Sequence, residues 1–122
     1  MLSKYEQTLL QAWEEVYKRG QLTLWILLGI KDGPKYMSQI KEFISHQTND
    51  VLQADDKSMY RALRRFDEAQ MISYVTKPSD NGPDHKVYSL TPTGKQILDE
   101  FIKRTFIDVF YKPSVKQLVL GK

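Results

Sequence analysis

Cysteine is absent from this chain of 122 residues. Its absence removes disulfides, thiolate metal ligands and cysteine nucleophiles together, and it agrees with a reducing compartment. The two histidines, His46 and His85, lie far apart in the sequence without an acidic cluster beside them. No Ser-His-acid set, Gly-rich phosphate loop or carboxylate pair stands out either. We therefore expect a protein that is not an enzyme and that holds no metal or other cofactor.

Long apolar runs are also lacking. The longest, Leu22 to Ile30, is interrupted by Thr23 and Gly29 and is about half the length that a membrane span needs. The first residues show no apolar core of the kind found in signal peptides, and acidic residues appear early. With 41% hydrophobic residues, the chain has enough apolar content for one compact domain. These features predict a cytoplasmic protein without contact with a membrane.

The sequence also has little net charge. Eighteen Lys and Arg residues stand against fifteen Asp and Glu residues, which gives a formal net charge of +3. This is a mild preference for polyanionic partners and carries little weight by itself. A cluster of basic residues on one face of the protein would be needed to indicate such a partner.

Apolar spacing predicts three helices in the first part of the chain. Ser3 and Glu6 have the spacing of a capping box, and the pattern that follows indicates an amphipathic helix ending at Gly20. Leu22 to about Lys31 is apolar almost all round, which is typical of a helix in the middle of a core. A third helix is expected from about Lys35 to Ser45, before a polar turn.

A fourth helix, from Asp55 or Asp56 to about Gln70, combines an apolar line with a basic face. At 100° per residue, Lys57, Arg61 and Arg64 project within roughly 60° of one another, with Tyr60 and Arg65 on either side. Strand-forming segments at 71–77 and 85–90 follow, separated by a seven-residue tip that is rich in turn formers, Pro78 to Asp84. They predict a two-stranded ribbon.

Thr91 and Pro92 predict the start of a last helix that continues to about Tyr111. Its apolar stripe extends beyond the ribbon for about two and a half heptads, so this helix is expected to pair with a partner. Residues 113–122 are interpreted as a frayed or loosely docked tail. The domain organisation is then an N-terminal helix (1–20), a DNA-binding domain (21–92), a dimerisation helix (93–112) and the tail.

Three helices, a basic-faced helix and a ribbon are the order of a winged helix-turn-helix, in an α+β fold that is mainly α. Three stretches resemble the PadR family of bacterial transcriptional regulators and together cover about residues 22 to 94. They are Leu24 to Ile40, with Gly33 and Pro34 before the third helix, then SMYRALRRFDEAQMI at 58–72, and KVYSLTPTG at 86–94. The second is similar to the family pattern TLYPALRRLEEEGLI, and the third to KYYRLTEAG.

The resemblance implies a homodimer, held by the N-terminal and C-terminal helices, that binds a palindromic operator in double-stranded DNA and usually represses. Recognition helix 56–70 would enter the major groove, and the wing at 77–86 would contact the backbone. The candidate DNA contacts are Tyr36, Lys57, Ser58, Tyr60, Arg61, Arg64, Arg65, Lys77, His85 and Lys86. The candidate dimer contacts are Leu9, Trp13, Ile97, Phe101, Ile102, Phe106 and Val109.

Some short members of the family bind flat aromatic or cationic molecules at the dimer centre. The residues that could line such an effector pocket here are Trp13, Phe101 and Thr105, the last of which aligns with a tryptophan of the drug-binding members.

Plainer interpretations stay open for each group. The arginines could form a solvated helix face with an Arg64–Glu68 pair, the wing lysines could protect a sheet edge, and the aromatic residues could simply be core. For the whole protein, the alternatives are a winged-helix module that binds proteins and little DNA, or a sensor of small ligands at the dimer interface.

Overall fold

The computed structural model describes residues 1–121. Its elements are helices α1 (Lys4–Asp32), α2 (Met37–Gln47) and α3 (Asp56–Glu68), strands β1 (Ile72–Lys77) and β2 (His85–Leu90), helix α4 (Pro92–Ile102), a π-helical segment (Lys103–Ile107) and helix α5 (Pro113–Leu120). Helices with one small antiparallel sheet confirm the α+β, mainly α class. No helix within residues 1–121 is both long enough and apolar enough to cross a membrane.

Helix α1 begins at the predicted capping box. The Ser3 amide donates to Glu6 Oε1 at 2.8 Å, and the Glu6 amide donates to Ser3 Oγ at 3.1 Å. The predicted end at Gly20 is wrong, because α1 continues through that residue as one helix of 29 residues. A glycine inside a helix costs only about 1 kcal/mol relative to alanine, and good helix formers surround this one. The two expected helices are therefore a single rod.

The core lies around the second half of α1, as its apolar composition predicts. Ile26, Leu27 and Ile30 are buried there. They pack in one cluster with buried side chains from the other elements, namely Ile40, Ile44, Leu52, Met59, Ala62, Leu63, Ile72, Tyr88 and Leu98. This cluster holds α1, α2, α3 and the ribbon together as one unit.

The ribbon pairs β1 with β2 in the predicted places, with Ile72 opposite Leu90 at the base and Lys77 opposite His85 at the tip. A third segment joins it before α2. The Lys35 amide donates to the Tyr88 carbonyl at 3.2 Å, and the Tyr88 amide donates to the Lys35 carbonyl at 2.8 Å. The ribbon is thus fixed to the start of α2, which confirms the winged helix-turn-helix arrangement.

A tight joint connects the end of α3 to the start of α4. Gln70 adopts a left-handed φ of 62°, and the Met71 amide closes the helix end by donating to the Phe66 carbonyl at 2.9 Å. The Thr91 hydroxyl donates to the Gln70 carbonyl at 2.6 Å and accepts from the Gly94 amide at 2.9 Å. A Cβ on Gly94 would lie 1.9 Å from the Met71 oxygen, so only glycine allows this approach. The predicted helix start at Thr91 and Pro92 is confirmed.

The C-terminal region differs from the expectation. The α-helix ends at Ile102 and continues as a π-helical turn, in which the Asp108 amide donates to the Lys103 carbonyl at 2.8 Å. A hydrogen bond from the Lys103 ammonium to Asp108 Oδ2 at 2.8 Å accompanies this turn and raises the pKa of Lys103. One regular helix to Tyr111 was therefore the wrong prediction.

Residues 113–120 form helix α5, so the prediction of a frayed tail is wrong there, whereas the loosely docked alternative stays open because α5 has no buried residue. Proline is suited to the first position of a helix, and Pro113 begins α5 in this way. Lys122, the last residue of the predicted tail, lies outside the described residues.

Candidate nucleic-acid interface

Helix α3 begins with a carboxylate cap. Asp55 accepts from the Ser58 amide at 2.8 Å and from the Ser58 hydroxyl at 3.1 Å. These hydrogen bonds, from the backbone first, lower the pKa of Asp55. The Lys41 ammonium lies 2.5 Å from Asp56 Oδ1 and joins α2 to the start of α3. The Ser58 hydroxyl therefore has a local partner, and the two helices hold the start of α3 in position.

The outer face of α3 is basic and open to solvent. Met59, Ala62 and Leu63 are buried on the inner face. The side chains on the outer side are all exposed, namely Lys57, Tyr60, Arg61, Arg64 and Arg65. Within residues 1–121 none of the four cations on this face forms an ion pair, and the Arg64–Glu68 pair does not form. We call these five residues the basic face.

Tyr60 belongs to this face and not to the core, since 55% of it is exposed. The neighbouring buried aromatic is Tyr88 of the ribbon, which packs on Tyr74 with ring centroids 5.8 Å apart. Burial, with a smaller contribution from Tyr60, raises the pKa of Tyr88. Tyr88 is therefore a neutral structural residue that supports the ribbon beside the basic face.

The ribbon carries the second group of candidate contacts. Lys77 and His85 lie opposite each other where the tip begins, and the Lys86 ammonium lies 4.6 Å from the centre of the Tyr74 ring. Lys86 thus has an aromatic support that keeps its charge near the strand. The tip itself, residues 78–84, carries two aspartates and no lysine or arginine. The lysines of the wing therefore lie on its two strands and not on the tip.

Tyr36 is brought to the wing by a contact that the sequence does not reveal. Its ring stacks on the His85 ring, with centroids 4.3 Å apart and planes 15° apart. Tyr36 also stands at the start of α2, where its amide donates to Gln39 Oε1 at 3.1 Å. The stack therefore joins the wing to the helix-turn-helix.

Lys35 is a structural neighbour of Tyr36 that the sequence pattern did not indicate. Its ammonium donates to the Gly29 carbonyl and to Asp32 Oδ2, both at 2.8 Å, and lies over the Phe43 ring at 5.0 Å. It closes the end of α1 beside Tyr36. A lysine directly after an Asp-Gly-Pro helix stop is the sequence signal that could have indicated this role.

The candidate dimer contacts fall into two groups. Five are exposed in the single chain, namely Leu9, Trp13, Ile97, Phe101 and Val109. Ile102 and Phe106 are half-buried and line a groove between α1, the π-helical segment and α5. The exposed group is available to another chain, whereas the other two are partly covered by their own.

The three candidate pocket residues lie apart in the single chain. Trp13 is 72% exposed on the first half of α1, and Thr105 is half-buried in the π-helical segment. Phe101 lines a groove of about 360 Å³ together with Leu27, Phe66 and Ile97. A pocket that combines Trp13, Phe101 and Thr105 between two chains stays a prediction.

The chain matches known proteins over most of its length. Residues 26–100 match the transcriptional regulator PadR-like family. A PadR-like transcription factor from Bacteroides fragilis is 27% identical, with a TM-score of 0.61 over 75% of this chain and 84% of that one. A PadR family transcriptional regulator from Eggerthella lenta is 14% identical, with a TM-score of 0.75 over 96% of this chain and 97% of that one.

A third structure contains nucleic acid. Bacillus subtilis PadR in complex with operator DNA is 22% identical, with a TM-score of 0.60 over 66% of this chain and 46% of that one. At this identity the likeness concerns the fold. The match to the family over more than half of the chain nevertheless decides its membership: this protein belongs to the PadR-like family of transcriptional regulators.

Proposed function

We propose that this protein is a homodimeric repressor that binds a palindromic operator in double-stranded DNA. The observation that carries the proposal is the basic face of α3, whose four cations are exposed and make no ion pair within residues 1–121. Charged side chains that face solvent without partners are free to neutralise phosphates or to donate to base edges. Repression is the role that the resemblance to the family implies.

Lys57, Arg61 and Arg64 form the centre of the proposed contact because they project in nearly one direction from α3. Arginine and lysine can both donate to O6 and N7 of guanine or to phosphate, and Ser58 would contact phosphate if its hydroxyl exchanged Asp55 for that partner. Tyr60 and Arg65 would contact the sides of the same groove. In this arrangement the arginines of α3 would contact the bases of the operator, and the first turn of α3 would position the helix on the phosphate backbone.

The wing would contact the backbone next to the major groove through Lys77, His85 and Lys86. The stack of His85 on Tyr36 supports this geometry, since it fixes the start of β2, next to the tip, relative to α2. The acidic tip would be directed away from phosphate. We therefore expect the wing to contribute less to affinity than α3.

The exposed apolar side chains support the homodimer. Trp13 is 72% exposed and Phe101 is 48% exposed, although both are large apolar residues that are usually covered. Two copies would place their recognition helices about one turn of DNA apart, roughly 34–36 Å, so the operator would be an inverted repeat.

Single substitutions on the basic face test the proposal. Arg61→Ala and Arg64→Ala should each weaken binding to the operator by about 5-fold to 150-fold, since one base contact contributes about 1–3 kcal/mol. Affinity would be measured by gel shift at fixed salt, and sedimentation would verify that each variant keeps its assembly state. Arg104→Ala is the matched control, because it removes one exposed positive charge from the π-helical segment.

Operator affinity like that of the wild type in both variants would refute the assigned contact. If the Arg104→Ala control lost as much operator affinity as the two variants, the loss would be explained by net charge and not by a specific contact. If the wild-type protein bound no DNA at all, the repressor proposal would be rejected in favour of a winged-helix module that binds proteins.

A further inference from the structure

His85 is stacked at the start of β2 without an anionic partner. The ring of Tyr36, the residue before α2, lies against its imidazole, with the centroids 4.3 Å apart and the planes 15° apart. Both residues are half-buried. No carboxylate of residues 1–121 forms an ion pair with His85. The imidazole therefore has an aromatic support that fixes its position and no carboxylate that holds a proton on it.

A permanent cation stands directly across the ribbon from His85. Lys77 and His85 are paired residues of the two antiparallel strands, so their side chains leave the same face of the sheet. Like charges at directly opposite positions of two strands repel and destabilise the pair. In the free protein, a proton on His85 is thus opposed by the Lys77 ammonium.

The other charged groups near His85 are placed differently. Lys86 follows it in β2 and so points to the opposite face, where its ammonium lies 4.6 Å from the centre of the Tyr74 ring. Lys35, beside the stacked tyrosine, is already paired with a carboxylate of α1 at 2.8 Å. Asp84 precedes His85 at the end of the tip and is exposed, so water screens its charge. The charge that faces His85 on its own side of the ribbon is that of the lysine on β1.

We propose that His85 takes up a proton from solvent when the wing meets a DNA phosphate, so that operator binding is linked to pH. This inference rests on the DNA-binding function proposed above. A phosphate between Lys77 and His85 removes the repulsion between ammonium and imidazolium, and it accepts a hydrogen bond from each. The stack on Tyr36 adds to this effect, because the face of an aromatic ring attracts a cation.

The direction of the pH effect follows from this linkage. Histidine is the side chain that ordinarily changes its charge between about pH 5 and 8. Since the DNA-bound state holds the proton on His85 more strongly than the free state, operator affinity rises as the pH falls through this range. The rise ends where His85 is protonated in both states.

Gel shifts at pH 8 and pH 6, at fixed salt and with DNA from upstream of the protein's own gene, test the proposal. The wild type should bind up to about fivefold more tightly at pH 6, the effect typical of one exposed ion pair. His85→Gln should lose this pH dependence. His46→Gln is the matched control, because His46 is the only other histidine of the chain and lies on α2, where it is exposed. It should keep the pH dependence of the wild type.

The salt dependence of the same binding provides a second readout. At pH 6 the wild type should neutralise one more phosphate than at pH 8, so the slope of log affinity against log salt should be steeper by about 0.9. His85→Gln should give equal slopes at both pH values. Equal slopes in the wild type would overturn the proposal, as would a pH dependence that persists in His85→Gln or disappears in His46→Gln. A wild-type protein that binds no DNA at either pH would overturn the DNA-binding function as well, so the two failures are distinguishable.

Discussion

The inner and outer parts of this molecule differ in how far their apolar side chains are buried. The core cluster lies between Ile26 and Leu98, and every member of it is less than 8% exposed. The first half of α1, by contrast, exposes Leu9, Trp13 and Tyr17, and α5 has no buried residue at all. The core of the winged helix is buried within one chain, whereas the outer helices leave apolar side chains exposed. The difference assigns stability to the inner part and assembly or binding to the outer part.

Gly94 offers the largest test of this contrast, because it lies in the joint of α3 and α4 within the inner part. Gly94→Ala would place a Cβ 1.9 Å from the Met71 carbonyl oxygen, so the backbone of the joint must shift. We expect a loss of about 3 kcal/mol in the free energy of unfolding, measured by urea denaturation. Gly20→Ala is the control, since its added Cβ meets nothing within 4 Å and should stabilise α1 by up to about 1 kcal/mol. A Gly94→Ala protein as stable as the wild type would contradict the packing of the joint.

The next effect concerns assembly. Trp13→Ala and Phe101→Ala should each weaken dimer association by about 2 kcal/mol, as is typical of central aromatic contacts. Analytical ultracentrifugation over a range of concentrations would measure the change. Tyr60→Ala removes another exposed aromatic residue, but from the basic face, and should leave the dimer unchanged. If the Tyr60 variant dissociated as readily as the other two, the division between outer and inner surfaces would fail.

A smaller effect is expected at the end of α3. Gln70 has a φ of 62°, which costs a residue with a side chain about 1 kcal/mol more than glycine. Gln70→Gly should therefore raise the free energy of unfolding by up to about 1 kcal/mol in a denaturation experiment. Ala69→Gly is the control, because Ala69 has an ordinary φ of −80° and its replacement should not stabilise the protein. Destabilisation by Gln70→Gly would show that its side chain has an unrecognised role.

The smallest effect is a pH dependence at the start of α3. The pKa of Asp55 is lowered in the folded protein by the hydrogen bonds from Ser58. The cap therefore stabilises the fold fully above the ordinary pKa of an aspartate, and this contribution is lost as the pH falls through the lowered value. Asp55→Asn keeps a capping oxygen that does not titrate. The variant should show a weaker decline of Tm on acidification, and an identical decline would exclude Asp55 as its source.

Much of the inner part could be predicted because its signals are local. The cap at Thr91, the basic face of α3 and the turn formers between β1 and β2 all act within a few residues, as does the cap at Ser3 in the outer part. The prediction at Gly20 was wrong because a glycine is only a weak interruption in a strong helical sequence. Helix α5 was not predicted at 113–120, because a proline such as Pro113 can follow the end of one helix as well as begin another.

The remaining features depend on residues that are distant in sequence. The Tyr36–His85 stack, the pairing of Lys35 with Tyr88 and the groove closed by α5 each join separate elements. Periodicity describes one element at a time, so it gives no information on which elements meet. The close approach of Gly94 to Met71 is likewise a property of the joint and not of either helix.

The central claim is that the open basic face of α3 recognises a particular DNA sequence. The most direct measurement is the affinity of the wild-type protein for DNA from upstream of its own gene, compared with a random duplex of equal length over a series of salt concentrations. We predict a clear preference for the upstream fragment and a linear fall of log affinity with log salt, with a slope of about −0.9 for each phosphate neutralised. Equal, weak binding to both duplexes would contradict the claim.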